Sequence, residues 1–208
     1  MKNTIVKDTL ILFAITLVAG LGLGVVHEIT AEPIEQADYE TQQAAYQEVF
    51  PDASEFIDLP DFDTEAATAV VAAEGYSDSI EACVQAVDDS GELLGYVITV
   101  TDPDSYGGSI TFSIGVTLDG ILNGYSITDI SDTPGLGMKA KEEDFSSQFA
   151  DKEVQTFTVT KTGSTDDSQI DAITGATITS TAMTNGVNAG LVYYSYVLEE
   201  TGGELLDE

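Results

Sequence analysis

The residues of this sequence that are best placed to do chemistry lie in a ten-residue stretch, Asp171 to Ser180. It holds one carboxylate, a glycine–alanine pair (Gly175 and Ala176) and four hydroxyl residues, which are Thr174, Thr177, Thr179 and Ser180. Residues 181–198, directly after it, are predicted to form a helix. Hydroxyl side chains at the start of a helix can cap its free N–H groups, and that end attracts anions such as phosphate. The stretch is therefore either a capped helix start after a tight turn or an anion-binding site.

A second candidate is the loop Asp132-Thr-Pro-Gly-Leu-Gly-Met-Lys139, whose candidate ligand-contacting residues are Thr133, Gly135, Leu136, Gly137 and Lys139. Its two glycines let the backbone approach a flat ligand closely, and the leucine between them is free to lie against that ligand. The lysine could face a phosphate, because cations are scarce in this chain. The alternative is an ordinary turn followed by solvated lysines at the start of a helix.

Composition excludes several function classes. The chain has 37 acidic residues against 6 basic ones and a formal net charge of -31, so it lacks the basic surface that binds nucleic acid. One cysteine, Cys83, excludes an internal disulfide and any metal cluster held by cysteines of this chain, and its apolar neighbours predict that it is buried. The single histidine, His27, excludes a Ser/His/Asp triad and a histidine-rich metal site. We assign no metal site to this chain, and no residue that acts as an acid, base or nucleophile in turnover.

The elements that position these residues begin with an apolar run. Residues 9–26 carry no charge for eighteen positions, which as a helix spans about 27 Å, close to the thickness of the hydrocarbon core of a membrane. Lys2 and Lys7 precede the run and no further lysine follows until Lys139, so we expect the N-terminus in the cytoplasm and the rest outside. The alternative is a cleaved signal peptide, whose apolar region is usually shorter. We divide the chain into a cytoplasmic N-terminus and transmembrane anchor (1–30), a connecting helix (31–52), an extracytoplasmic domain (53–200) and an acidic tail (201–208).

Within the domain the pattern predicts an α+β fold. Four strands, 82–87, 93–100, 109–118 and 121–130, follow one another with turns between them, which predicts an antiparallel meander. A further strand is predicted at 154–159, a helical stretch at 142–149 and a polar loop at 162–169. Residues 53–79 are predicted to be a loop with one strand or short helix.

Three features occur together in order: the N-terminal anchor, the loop Thr133-Pro-Gly-Leu-Gly137, and Thr174-Gly-Ala-Thr177 before the last helix. Together they resemble the membrane-anchored FMN-binding domain family, and most closely the G subunit of the Rnf ion-translocating electron-transport complex. The resemblance covers nearly the whole chain and includes weaker sequence similarity at residues 45–51 and 106–110.

The resemblance implies a specific site. In that family FMN is attached by a phosphoester to the threonine that closes the motif, which is Thr177 here, by a separate magnesium-dependent flavin transferase with FAD as donor. Asp171 matches the acidic residue of the family's recognition pattern, and the loop at 133–137 contributes to the flavin pocket. The family often has Glu before the Thr-Pro pair, and here it is Asp132, which weakens any role given to that carboxylate.

The resemblance also implies a function: a redox subunit, rather than a complete enzyme, that relays electrons through covalent FMN in a cell-membrane complex. That complex couples ferredoxin oxidation and NAD reduction to ion export, and its other membrane subunits and the flavin transferase are the expected partners. The alternatives are the C subunit of a sodium-translocating NADH:quinone reductase, a stand-alone extracellular flavoprotein, or a surface-anchored binding domain without flavin, in which Thr177 only caps a helix. The high negative charge separately predicts a saline habitat and stability that rises with salt, unless it reflects only an acidic lineage.

Overall fold

The computed structural model describes residues 2–60 and 62–201. The chain divides into two compact units, Met1–Gln42 and Gln43–Glu208. A single helix, α1 (Lys2–Val49), supplies all the described structure of the first unit and continues into the second. The expected anchor and connecting helix are therefore parts of one helix, which contains Pro33. The expected acidic tail lies outside the described residues from position 202 onward.

The first unit is apolar and exposed. Within Ile5–Val49 an 18-residue window reaches a mean hydropathy of 2.5, which is long and apolar enough to cross a membrane. Large apolar side chains such as Val18 and Leu23 are 69% and 72% exposed. Apolar side chains on every face of a helix are typical of a lipid-embedded segment. This agrees with the anchor predicted from the uncharged run.

The second unit is built on a five-stranded antiparallel sheet in which sequence neighbours are also spatial neighbours. Its strands are β1 (Glu55–Asp58), β2 (Ser79–Val87), β3 (Leu93–Ser105), β4 (Gly108–Thr117) and β5 (Leu122–Ile130). Helix α2 (Thr64–Ala73) lies between β1 and β2, so the segment 53–79 holds a strand and a helix where one of the two was predicted. The predicted α+β class and the four-strand meander are confirmed.

Both faces of this sheet are buried. Along β3, Tyr96 and Ile98 join the larger hydrophobic cluster, whereas Val97 between them joins a smaller cluster on the opposite face. The long C-terminal helix α4 (Thr177–Thr201) covers the first face. The last turn of α1 covers the second face through Tyr46 and Val49, together with Phe50, which follows the helix. Each large side chain buried in this way stabilises the fold by about 1.5–3 kcal/mol.

Glycines allow the helices to lie close to the sheet. A Cβ atom at Gly186 of α4 would lie 2.6 Å from Cζ of Phe112, and one at Gly115 of β4 would lie 2.9 Å from Cβ of Val49. Neither position has room for a side chain. The contact at Gly186 packs α4 closely against β4, and the contact at Gly115 packs the end of α1 against the same strand.

The remaining elements are short. They are a 3-10 helix (Gly137–Lys141), helix α3 (Glu143–Ser146) and the parallel strands β6 (Thr158–Thr160) and β7 (Gln169–Asp171). The strand predicted at 154–159 begins only at Thr158, because the side chain of Asn188 on α4 bonds both backbone groups of Phe157, at 2.8 and 2.9 Å. The predicted polar loop at 162–169 ends in β7, which has too few residues to show an alternating pattern.

Candidate cofactor-binding site

The N-terminal end of α4 is set by a left-handed turn. Gly175 has φ +81°, a conformation that glycine adopts without steric cost, and the N–H of Ala176 donates to the carbonyl of Ile173 at 2.9 Å. The helix then begins at Thr177, four residues before the predicted start. Among the described residues, the N–H groups of Thr177, Ile178 and Thr179 have no hydrogen-bond acceptor. This end of α4 therefore presents three free donors and the positive end of the helix dipole.

The four hydroxyl residues of the motif have different environments. Ser180 is fully buried, where its Oγ donates to the carbonyl of Ala176 and accepts from the N–H of Ile173, both at 2.9 Å. Thr179 is 1% exposed and donates to Asp132. Thr174 is exposed and Thr177 is half-buried, and neither hydroxyl has a hydrogen-bond partner in the described part of the chain. Only these two are free to react or to bind a ligand.

The loop after β5 forms a tight turn beside that end of the helix. The carbonyl of Thr133 accepts from the N–H of Leu136 at 3.1 Å, and Gly135 in the turn has φ +75°. A Cβ atom at Gly137 would lie 2.6 Å from Oγ1 of Thr179, so this position requires glycine. The Tyr125 hydroxyl of β5 donates to the carbonyl of Ala140 at 2.6 Å and holds the 3-10 helix that follows. The loop is thus fixed to the sheet at one end and against α4 at the other.

Asp132 joins the three segments of the site. It is 5% exposed and accepts hydrogen bonds from the Ser105 hydroxyl (2.8 Å), the Thr179 hydroxyl (2.5 Å) and the N–H of Gly107. These donors lie at the end of β3, in α4 and in the β3–β4 turn. We call Asp132 and its three donors the Asp132 clamp. The family resemblance gave this carboxylate little weight, yet in the structure it holds the site together.

A cleft of about 510 Å³ lies between these segments. It is lined by Tyr106, Asp132, Thr133, Leu136, Gly137, Gly175, Ala176, Thr177, Ile178 and Thr179. Its volume is in the range of cofactor sites. Three lining side chains, Tyr106, Leu136 and Ile178, are large, apolar and exposed, at 71%, 41% and 53%. The cleft therefore combines an apolar rim with a helix N-terminus, the two features that a flat ring bearing a phosphate requires.

The structure brings most of the predicted residues together but not all of them. Thr133, Leu136, Gly137, Gly175, Ala176, Thr177 and Thr179 line the cleft, whereas Gly135 and Ser180 shape it from behind through backbone and capping contacts. Thr174 and Lys139 line a neighbouring cleft of about 270 Å³ together with Asp171. The backbone N–H of Asp171 is held by the side chain of Gln148 at 2.7 Å.

Three lining residues were not chosen from the sequence. Asp132 lies 47 residues from Thr179 and 27 from Ser105, so its contacts are invisible in the chain order. Tyr106 lies in a predicted turn before a glycine pair, and an aromatic residue in such a turn could have been chosen as a ligand contact. Ile178 is the one large apolar residue inside the hydroxyl-rich motif, which was a second such signal.

The residue chemistry fits a bound FMN. The three free N–H groups and the free Thr177 hydroxyl can hold a phosphate at the start of α4, and the apolar rim can contact a flavin ring. Among the described residues no group of three or more His, Cys, Asp or Glu could hold a metal ion. The single thiol, Cys83, is buried in β2.

Comparison with known proteins agrees with this geometry. A family model of the FMN-binding domain matches residues 105–192, and a model of the RnfG N-terminal region matches residues 1–49. The chain is 34% identical over 194 residues to the G subunit of the Na(+)-translocating ferredoxin:NAD(+) oxidoreductase complex of Acetobacterium woodii, covering 92% of each chain. It is 28% identical over 197 residues to the G subunit of the ion-translocating oxidoreductase complex of Methanosarcina acetivorans, covering 93% of this chain and 96% of that one.

Among solved structures, the crystal structure of NqrC from Shewanella oneidensis has a similar fold. The TM-score is 0.53 at 17% identity, and the match covers 76% of this chain and 88% of that one. At this identity the likeness concerns the fold alone.

Proposed function

The chain belongs to the G-subunit family of ion-translocating oxidoreductase complexes, and we propose that it carries electrons in such a complex through FMN attached by a phosphoester to Thr177. FMN supplies the redox chemistry, while the residues of this chain bind it, orient it and limit its contact with water. By analogy with the relative from Acetobacterium woodii, the donor and acceptor of the whole complex are ferredoxin and NAD.

One observation supports the covalent attachment at Thr177 most directly. Of the four hydroxyl residues in the motif, Thr177 alone combines a position in the cleft with a hydroxyl that has no partner among the described residues. Its Oγ1 lies at the end of α4 that presents three free N–H groups. A phosphate bonded to this oxygen is placed where the free donors and the helix dipole stabilise its negative charge.

The attachment requires a second protein. A phosphoester forms when Thr177 Oγ1 bonds to the FMN phosphorus of FAD, the bond from that phosphorus to the AMP moiety breaks, and AMP leaves. The hydroxyl proton must pass to a base, and the described part of this chain places none within hydrogen-bond distance of Oγ1. We therefore assign the base and the magnesium ion to a flavin transferase, which we propose recognises the exposed segment around Asp171.

The apolar helix α1 anchors the chain in the membrane complex. We propose that it crosses the cell membrane once, with the lysines of the N-terminus in the cytoplasm and the FMN domain on the other side. We further propose that the other membrane subunits of the complex pack against α1, which has no described protein contact along its apolar part.

The proposal is tested by expressing the full-length chain together with a flavin transferase and examining a denaturing gel for fluorescence. We expect a fluorescent band from the wild type and none from Thr177→Ala. Thr174→Ala is the matched control, because Thr174 is also an unbonded hydroxyl of the motif but lines the neighbouring cleft. This control should remain fluorescent.

Two results would contradict the proposal. A dark wild-type band under these conditions would favour a binding domain without covalent flavin. Fluorescence that persists in Thr177→Ala and disappears in Thr174→Ala would move the attachment to the other hydroxyl.

A further inference from the structure

Two buried aspartates face each other beneath α4, outside the flavin cleft. Strands β2 and β3 pair with Ser79 opposite Thr101, and the next position brings Asp78 opposite Asp102. The two residues are 1% and 0% exposed. Gly186 of α4 lies beside Asp78, since a Cβ atom at that position would be 3.1 Å from Oδ1 of Asp78.

These carboxyl groups lack donors. Asp102 Oδ1 accepts from the N–H of Asp104 at 2.7 Å. The other three oxygens, both of Asp78 and Oδ2 of Asp102, have no hydrogen-bond donor within the described part of the chain. An ionised carboxylate can only accept hydrogen bonds, so two ionised groups in this position cannot satisfy each other. If one of them is protonated, its O–H donates to the other and the pair becomes internally bonded.

The surroundings offer no positive charge. The titratable groups that interact with the pair are Tyr76 from the segment before β2 and Asp104 from β3, and Tyr76 itself lies near the negative charge of Glu74. Strand β4 has no titratable residue, α4 has only neutral polar and apolar side chains from Thr177 to Val192, and α2 contributes only the exposed Glu65. The described ion pair of this protein, Lys152 with Asp167, lies elsewhere.

We propose that Asp78 and Asp102 hold one shared proton at neutral pH and form a proton-binding site between the sheet and α4. Burial, together with the negative charge of Asp102, raises the pKa of Asp78 to about 8, and burial also raises the pKa of Asp102. Asp78 is therefore the proton carrier, and Asp102 is the acceptor that the Asp104 N–H stabilises.

A proton fits the site better than a metal ion does. Calcium takes six to eight oxygen ligands, and no third acidic, histidine or cysteine side chain completes such a set among the described residues. A proton needs only the two oxygens that already face each other.

The proton matters for the position of α4. Loss of the proton leaves two like charges opposite each other, which is a destabilising arrangement, and Gly186 of α4 packs beside one of them, Asp78. The same helix begins at Thr177, nine residues or about 13.5 Å before Gly186 at 1.5 Å per residue. Deprotonation thus weakens the packing of α4 on the sheet, and α4 forms one wall of the cleft. The aspartate pair would bind its proton in this way whichever cofactor the cleft holds.

The test is unfolding of the full-length chain in detergent between about pH 5 and 10, for the wild type and Asp78→Asn. A carboxyl group whose pKa is raised on folding stabilises the native state fully below its unfolded pKa of about 4 and loses that contribution as the pH rises to about 8. Asparagine is neutral at every pH. We therefore expect the unfolding constant of the wild type, relative to Asp78→Asn, to rise about tenfold per pH unit up to about pH 8 and to stay level above it.

Asp129→Asn is the matched control, because Asp129 is an exposed strand carboxylate with no side-chain hydrogen bond. The ratio of its unfolding constant to that of the wild type should not change with pH. Asp102→Asn should reproduce the pH dependence of Asp78→Asn, and infrared spectra at pH 7 should show a protonated carboxyl band in the wild type that both variants lose.

Two outcomes would overturn the proposal. One is a difference in unfolding constant between the wild type and both variants that does not change with pH, together with no protonated carboxyl band in the infrared spectrum of the wild type. The other is a rise in melting temperature with calcium or sodium chloride at pH 7 that the wild type shows and Asp78→Asn lacks, which would make the pair a cation site.

Discussion

Replacing Asp132 tests whether one carboxylate holds together the cleft that we propose for the flavin. Asp132→Ala removes the acceptor of three hydrogen bonds that come from three segments of the chain. The Thr179 hydroxyl is 1% exposed and cannot turn to water, so its loss of a partner costs about 1–3 kcal/mol. Ser105 and Gly107 lie nearer the surface and can bond to water, which leaves the usual net loss of about 1 kcal/mol for each.

The sum is about 3–5 kcal/mol, a large part of the 5–15 kcal/mol that usually stabilises a domain. Asp132→Asn should cost less, about 1 kcal/mol, because the amide keeps an oxygen for the Gly107 N–H while hydroxyl groups can turn to accept from its NH₂. We expect both stability and the amount of flavin incorporated to be highest in the wild type, lower in Asp132→Asn and lowest in Asp132→Ala.

The assay is denaturant unfolding of the full-length chain in detergent, with flavin fluorescence per polypeptide measured in parallel. Asp129→Ala is the control, since it removes an exposed carboxylate near the end of β5 that makes no side-chain hydrogen bond. The proposed role of the Asp132 clamp is refuted if two results occur together. The free energy of unfolding of Asp132→Ala stays within about 0.5 kcal/mol of this control, the range of ordinary surface substitutions, and the variant incorporates as much flavin as the wild type.

Two further predictions follow from charge and burial. Burial raises the pKa of the Cys83 thiol to about 12. Iodoacetamide at pH 8 should therefore label the folded chain very slowly and the denatured chain quickly. Rapid labelling of the folded protein would contradict this and show that β2 opens readily. The net charge of -31 should make the melting temperature rise between 0.1 and 1 M salt, over which the Debye length falls from about 10 to about 3 Å; an unchanged melting temperature would remove the argument for a saline habitat.

The parts of the fold that follow from local pattern could be predicted. Alternating apolar residues and short turns such as Asp119-Gly120 predict the four-strand meander, because each strand needs only its neighbour in sequence. The apolar run predicts the membrane helix. Thr177 could be chosen among four hydroxyl residues only through the family resemblance, and the structure adds that its hydroxyl is unbonded and lines the cleft.

The parts that depend on distant contacts could not be predicted. The role of Asp132 depends on donors 27 and 47 residues away, and the facing of Asp78 and Asp102 depends on the register of β2 on β3. Lys139 was chosen for its charge, and the structure places it in the neighbouring cleft, on the 3-10 helix that begins at Gly137.

The order of the strands has a consequence for maturation. The sheet joins strands in chain order, so it can assemble from local contacts while the chain is being made, whereas the Asp132 clamp must wait for α4, the last element described. A nascent chain that lacks α4 has a sheet but no cleft. If FMN is attached at Thr177 by a flavin transferase, as proposed above, we expect attachment only after α4 has been synthesised and has packed on the sheet, so that covalently bound flavin would mark a folded subunit.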